Sequence, residues 1–238
     1  MTGLVASELL KLRTTRVPWV LALLGLALVG IGTAAIVGAS DELDLVSDPD
    51  QTDLLRGGAG GAGFVPLLLG LLIVAGEFRH ETITQTFLVT PVRKRVVAAK
   101  LLGSGIAALA LAAVSLVLAY VIAIPGLSIR DIDFVLPAGE IAEIAGTVTL
   151  AFVLAGAIGV GVGAIVPNQV GALVAVIAWS FVIEPLLVFL LPEVGRFTPG
   201  GASSALNQEA GIDDLLTPVQ GGLLLAAYAI ALSAAGAV

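Results

Sequence analysis

The sequence contains no cysteine and a single histidine, His80, in 238 residues. The first absence excludes disulfides, thiolate metal sites, iron–sulfur ligation and a cysteine nucleophile. The second excludes a polyhistidine metal site within one chain. Charge is scarce as well: 12% of residues are charged, where an ordinary soluble domain has about 25%. Apolar residues make up 58% and mean hydropathy is +1.08. That balance excludes a water-soluble globule, and it excludes disorder, which needs low hydrophobicity and high net charge. The net charge is −7 and the isoelectric point lies near 4.6, which argues against nucleic acid as a partner.

Several motifs are missing too. There is no G-x-x-x-x-G-K-[ST] phosphate loop and no H-E-x-x-H. The glycine-rich stretch 57–63 lacks both the lysine and a preceding strand, and reads as a flexible or closely packed helix start. The only serine–histidine pairing would join His80 to Ser203 or Ser204, which the topology below puts on opposite sides of a membrane. The chain is therefore read as having no catalytic residues and no metal site.

What the sequence does have is long apolar runs. A membrane-crossing helix needs about 20 mostly apolar residues, and six stretches qualify: 17–39, 57–76, 101–124, 144–166, 170–192 and 217–238. Only one holds a charge, Glu184. Backbone polar groups in lipid must be paired internally, so each run reads as a helix. A membrane barrel would show alternating segments of about 10 residues instead. The first run is too long for a signal-peptide core and is read as retained. The expected fold is an all-α integral membrane protein with a single transmembrane domain over 1–238.

Basic residues set the orientation. Lys11, Arg13, Arg16, Arg79, Arg93, Lys94, Arg95 and Lys100 flank one side of the predicted membrane; Arg56, Arg130 and Arg196 flank the other. Eight against three puts both termini in the cytoplasm. The acids segregate oppositely: Asp and Glu concentrate in the outer stretches 41–53, 131–143 and 193–214.

The most informative connection runs from 77 to 100. Ile83 and Phe87 stand four apart and share a helical face with Leu88. Glu77 and Glu81 fall in the first turns of that helix, where negative charge suits the dipole. Thr90-Pro91 stops it, and Arg93, Lys94 and Arg95 form a cluster suited to anionic headgroups. From the residues alone this is an interfacial helix with a topology anchor, and the alternating threonines also permit an extended 82–86.

This loop resembles the first cytoplasmic loop of ABC-2 type transporter permeases, the membrane subunits of ATP-driven exporters. The resemblance rests on Glu77-Phe78-Arg79-His80-Glu81-Thr82, Thr90-Pro91-Val92-Arg93-Lys94-Arg95 and Ala98-Ala99-Lys100. Glu81 stands where many members have glycine. Residues 7–16 are similar to the family's elbow helix before the first span. The resemblance implies a cytoplasmic coupling helix between spans 2 and 3, seated on a separate ATP-binding subunit. It implies Glu77, Phe78, Arg79, Glu81, Thr82, Ile83, Phe87, Pro91, Arg93, Lys94 and Arg95 as its contact residues. It further implies a second permease subunit, identical or related, and a multi-pass place in a prokaryotic plasma membrane. ATP and magnesium would belong to the partner, with no cofactor in this chain. Two other classes stand beside this one: an ion-coupled secondary transporter, and a non-transporting assembly or immunity protein.

Glu184 and Pro185 are the remaining candidates. An ionisable group inside a span marks function by default. Here it reads either as a polar group on the transport path or subunit seam, or as a carboxylate bonding a neighbouring helix. Pro185 predicts a kink or unwound turn. Gly156, Gly159, Gly161 and Gly163 predict close helix packing in the fourth span. Trp19 reads as an interface residue, Trp179 and Tyr228 as mid-span residues that pack in the core or against lipid or else line a substrate path, and 193–216 as a segment with short helices.

Overall fold

The computed structural model describes residues 2–39, 45–79, 88, 92–209 and 215–237. Among these, every regular element is helical. In chain order they are α1 (Thr2–Thr14), α2 (Arg16–Gly38), α3 (Asp48–Gly60), α4 (Phe64–Arg79), α5 (Arg93–Ile129), α6 (Ala138–Ile165), α7 (Gln169–Ala178), a π-helical turn (Trp179–Ile183), α8 (Glu184–Leu190), α9 (Pro192–Gly195), α10 (Pro199–Asn207) and α11 (Pro218–Gly236). Six stretches are long and apolar enough to cross a membrane: α2, α3 with α4, α5, α6, the Gln169–Leu190 stretch, and α11. Their outer faces carry Leu23, Ile31, Val117, Val121, Phe189 and Ile230, all exposed, as a lipid-facing surface requires.

Three boundaries differ from the sequence reading. The second span begins earlier. Residues 48–53, expected in a solvated loop, belong to α3, which starts with Pro49 in its first turn and buries Gln51, Leu54 and Leu55. The glycines that follow form its end and the bend at 61–63, where Gly61, Gly63 and Val65 donate to carbonyls three residues back. Gly58 is closely packed, since a methyl group there would strike Thr33. The third span is longer at both ends: α5 has 37 residues, or about 55 Å at 1.5 Å per residue, against about 30 Å of hydrocarbon. The fourth span also starts early, at Ala138. The tight turn before α7 is set by Asn168, whose side chain accepts from the N–H groups of Val170 and Gly171, an ordinary N-cap.

The centre of the bundle is the contact of α4 with α6. The two backbones lie so close that a methyl group on Gly159 would collide with the carbonyl of Leu67, and one on Gly70 with the carbonyl of Gly156. Gly163 meets Leu71, and Gly161 turns the same helix towards Leu232 of α11. In lipid, helices gain nothing from hiding apolar surface from each other, so association rests on such close approach. The glycine run of the fourth span does what its spacing predicts.

Polar links hold the two ends of the bundle. At one end Thr52 donates to Glu140 at 2.7 Å, Arg56 pairs with Glu143 at 3.0 Å, and Gln208 donates to the same Glu143 oxygen at 3.0 Å. Gln51 bridges Leu45, Asp133 and Val135 through their backbones. The three acid-rich stretches of the sequence thus meet where their described parts lie. The opposite end is held by charges from α1, α4 and α5.

Gly159→Ala should lower stability by about 2 kcal/mol, as overpacking of a tight contact does. Gly146→Ala, on the same helix with nothing within 4 Å of the added carbon, should be neutral or slightly stabilising. Thermal unfolding in one detergent checks both, and equal behaviour of the two variants would refute the central role of the α4–α6 contact.

Candidate functional site

Two places in the bundle concentrate chemistry. The first is the charged end just mentioned. Lys100 lies two turns into α5 and is 1% exposed. Its ammonium meets Glu77 Oε1 at 2.8 Å, both oxygens of Glu8 at 3.3 Å and the carbonyl of Ile73 at 3.0 Å. An ammonium has three protons, and here all of them have acceptors. Lys11 completes the group, reaching Glu8 at 2.8 Å and Glu77 at 2.5 Å. Two carboxylates and two ammoniums cancel, which is the condition for burying charge in a dry place. Burial by itself would lower the pKa of Lys11, but the hydrogen bonds to Glu77 and Glu8 outweigh it, so the pKa stands above its ordinary 10.5. A raised lysine pKa means that its stabilisation is complete below that ordinary value and fades only as pH climbs past the raised one.

This cluster bears on the coupling-loop residues. Glu77 closes α4 and is buried in the cluster, so its carboxylate serves packing between α1, α4 and α5. Phe78 is half-buried and Arg79 exposed at the end of α4. Glu81, Thr82, Ile83, Phe87 and Pro91 lie outside the described residues. Arg93, Lys94 and Arg95 are exposed and form the first turn of α5. Cations in a first helical turn oppose the dipole, by about 0.3–1 kcal/mol each, so something other than helix stability keeps them there. Sequence reading gave Glu8, Lys11 and Lys100 no joint role. The available signal was a lysine and two glutamates each bordering an apolar run.

The second place is a cavity of about 700 Å³ between the fifth span and the rest of the bundle. The fifth span is held loosely: 6% of its apolar window is buried, against 67% for the second. Its inward contacts include Phe64 of α4 edge-on to Phe181, with ring centroids 5.0 Å apart. The cavity is walled by Phe64, Ala155, Trp179, Leu225 and Tyr228, with Glu184 towards one end. Trp179 and Tyr228 both border this space.

Glu184 follows the π-helical turn Trp179–Ile183, the distortion that Pro185 predicted one position away. The extra backbone in that turn carries the chain past a proline with no N–H to give. Glu184 is 8% exposed. One of its oxygens accepts from the N–H of Gly200, in the first turn of α10, where helix geometry favours an anion. Gly200 lets the carboxylate lie close, since a Cβ there would push the Glu184 side chain aside. Thr198 caps α10 by accepting from Gly201, and Tyr228 donates to the carbonyl of Phe197 at 2.8 Å, tying the short outer helices to α11. Glu184 thus bonds a neighbouring helix and also lines the cavity. The bond to a neighbouring helix is the structural alternative read from the sequence.

Lys100→Met should cost about 3–5 kcal/mol, because Glu8 and Glu77 would stay buried with one partner removed. The double variant Lys100→Met/Glu77→Gln should recover much of that loss. Thermal melting in detergent reads both. If the single and double variants melt alike, the four charges do not act as a unit. The chain matches no family model and no curated protein.

Proposed function

We propose that this chain is the permease subunit of an ABC-2 type exporter, moving cargo across a plasma membrane under the drive of a separate ATP-binding subunit. The single observation carrying this reading is the Lys100 cluster. It locks together the two helices that flank the 80–91 connection, α4 and α5, and adds α1 as a third member. A partner pressing on that connection would act on three elements as one rigid body. Such a clamp has little purpose in a protein whose loop is a passive link. The exposed basic triplet at the start of α5 supports a cytoplasmic side there, by the positive-inside rule. The six-span organisation leaves both termini on that side. The cavity offers a place for cargo of the size most small-molecule sites take, about 300–1,000 Å³.

Partner capture tests the reading. Tagged protein is isolated in mild detergent from its native host, with residues 80–95 intact or replaced by a Gly/Ser linker. The replacement spares Glu77 and Lys100, so the bundle keeps its clamp. We expect an ATP-binding subunit to co-purify with the native loop and to be lost with the linker. Phe87→Asp, or reversal of charge at Arg93, Lys94 and Arg95, should leave ATPase activity but abolish its coupling to transport. If no ATPase is recovered while the protein's own oligomer persists, the reading fails.

Orientation has its own test, made clean by the absence of cysteine. Ser7→Cys should be shielded from an impermeant maleimide in intact cells, and Ser47→Cys should react. The reverse pattern would invert the topology. An ion-coupled secondary transporter draws support from one feature, Glu184 beside a broken helix. Transport that stops on collapse of the ion gradient, but persists without ATP, would favour it.

A further inference from the structure

The cavity beside the fifth span has a chemical bias that names a class of ligand. Of its lining residues, Glu184 is the one that carries a charge, and no lysine, arginine or histidine faces the space among the described residues. The carboxylate is more than nine-tenths buried. One oxygen is held by Gly200, and the other has no hydrogen-bond partner among the described residues. The same cavity is lined by the rings of Phe64 on α4, Trp179 in the π-helical turn and Tyr228 on α11, and by Phe197 before α10, whose face is already covered by the Arg196 guanidinium at 5.0 Å. The remainder of the wall is aliphatic or small.

A lone carboxylate in a water-poor space attracts a cation strongly and repels an anion equally. Ring faces add to the attraction for a cation and add nothing for an anion. The apolar walls exclude small hydrated ions, which would lose more solvation than one carboxylate returns. We propose that this cavity binds a lipophilic cation, an apolar body with one delocalised or amine-borne positive charge, its charge at Glu184 and its body against Phe64, Trp179 and Leu225. That the ligand is cargo rests on the transport reading above; the binding itself does not.

The cation could come from a free amphiphile or from an amine lipid headgroup. The same chemistry serves either source, and the experiment separates them. The chain carries two tryptophans, so Trp19→Phe leaves Trp179 as the sole indole. That variant is placed in phosphatidylcholine nanodiscs and titrated with tetraphenylphosphonium or with tetraphenylborate, which have the same shape and opposite charge. Empty nanodiscs correct for partitioning into lipid. Bound ion is measured by equilibrium dialysis, and Trp179 fluorescence reports where it sits.

We expect tetraphenylphosphonium to saturate and to perturb Trp179, and Glu184→Gln to weaken it at least tenfold. Glutamine keeps an oxygen for Gly200, so the fold is spared. Tetraphenylborate should bind no more weakly to the glutamine variant than to the parent. Ala155→Phe, which fills the cavity and leaves Glu184 untouched, should remove saturable binding of the cation. Equal affinity of the cation for parent and Glu184→Gln, or binding unchanged by Ala155→Phe, would overturn the proposal. Competition by phosphatidylethanolamine would make a lipid amine the natural occupant, and its absence a free amphiphile. Since no ATPase is present, failure here leaves the partner-capture result untouched, and failure there leaves this one.

Discussion

The backbone contact of α4 with α6 organises the bundle. Water drives apolar surfaces together in soluble proteins, but lipid does not, and only close fit or polar bonding holds spans side by side. Glycines at 70, 156, 159 and 163 remove the side chains that would keep these two helices apart. With that pair fixed, α6 presents Gly161 to α11 and its other face to α5. The fifth span has no comparable stripe. Its middle is Trp179, Phe181, Val182 and Ile183, all of them substantially exposed, with Phe181 meeting Phe64 of α4 edge-on. The cavity lies where this span, without a glycine stripe, stands off from the tightly packed core.

The two polar ends differ in kind. At the Lys100 end the acceptors and protons are matched and the groups are nearly all buried. Opening such a cluster means wetting several charges together. At the other end Glu143 is 54% exposed where it meets Arg56, and exposed ion pairs contribute little to stability. That pair exchanges readily with water, whereas Gln51 and Thr52 at the same end are buried and hydrogen-bonded. One end of the bundle is stiff throughout, and the other is firm at α3 and loose where Glu143 meets Gln208.

Apolar run length made the spans legible in the sequence, because lipid imposes a simple rule on composition. The glycine stripe was legible for the same reason. The ends of helices were harder. Nothing in the polar stretch 48–56 says that it packs, because Gln51 and Arg56 are buried through long-range partners at Asp133 and Glu143. The Lys100 cluster was hidden for the same reason: its members are separated by up to 92 positions, and each taken alone resembles a topology charge. Glu184 stood out in sequence as a lone acid in a span, but its bond to Gly200 and the aromatic wall around it depend on how four elements meet.

The depth of Lys100 has a consequence for how the protein is made. Its two carboxylate partners precede it in the chain, Glu8 ahead of the whole of the first two spans and Glu77 at the close of the second. During synthesis those acids must wait, with Lys11 as their one cation, until the third span arrives. The last of the four charges to emerge is the one that ends up most deeply buried. Until then the amino-terminal helix has no firm seat, so the first three spans are bound to mature together, as a single assembly step in the membrane.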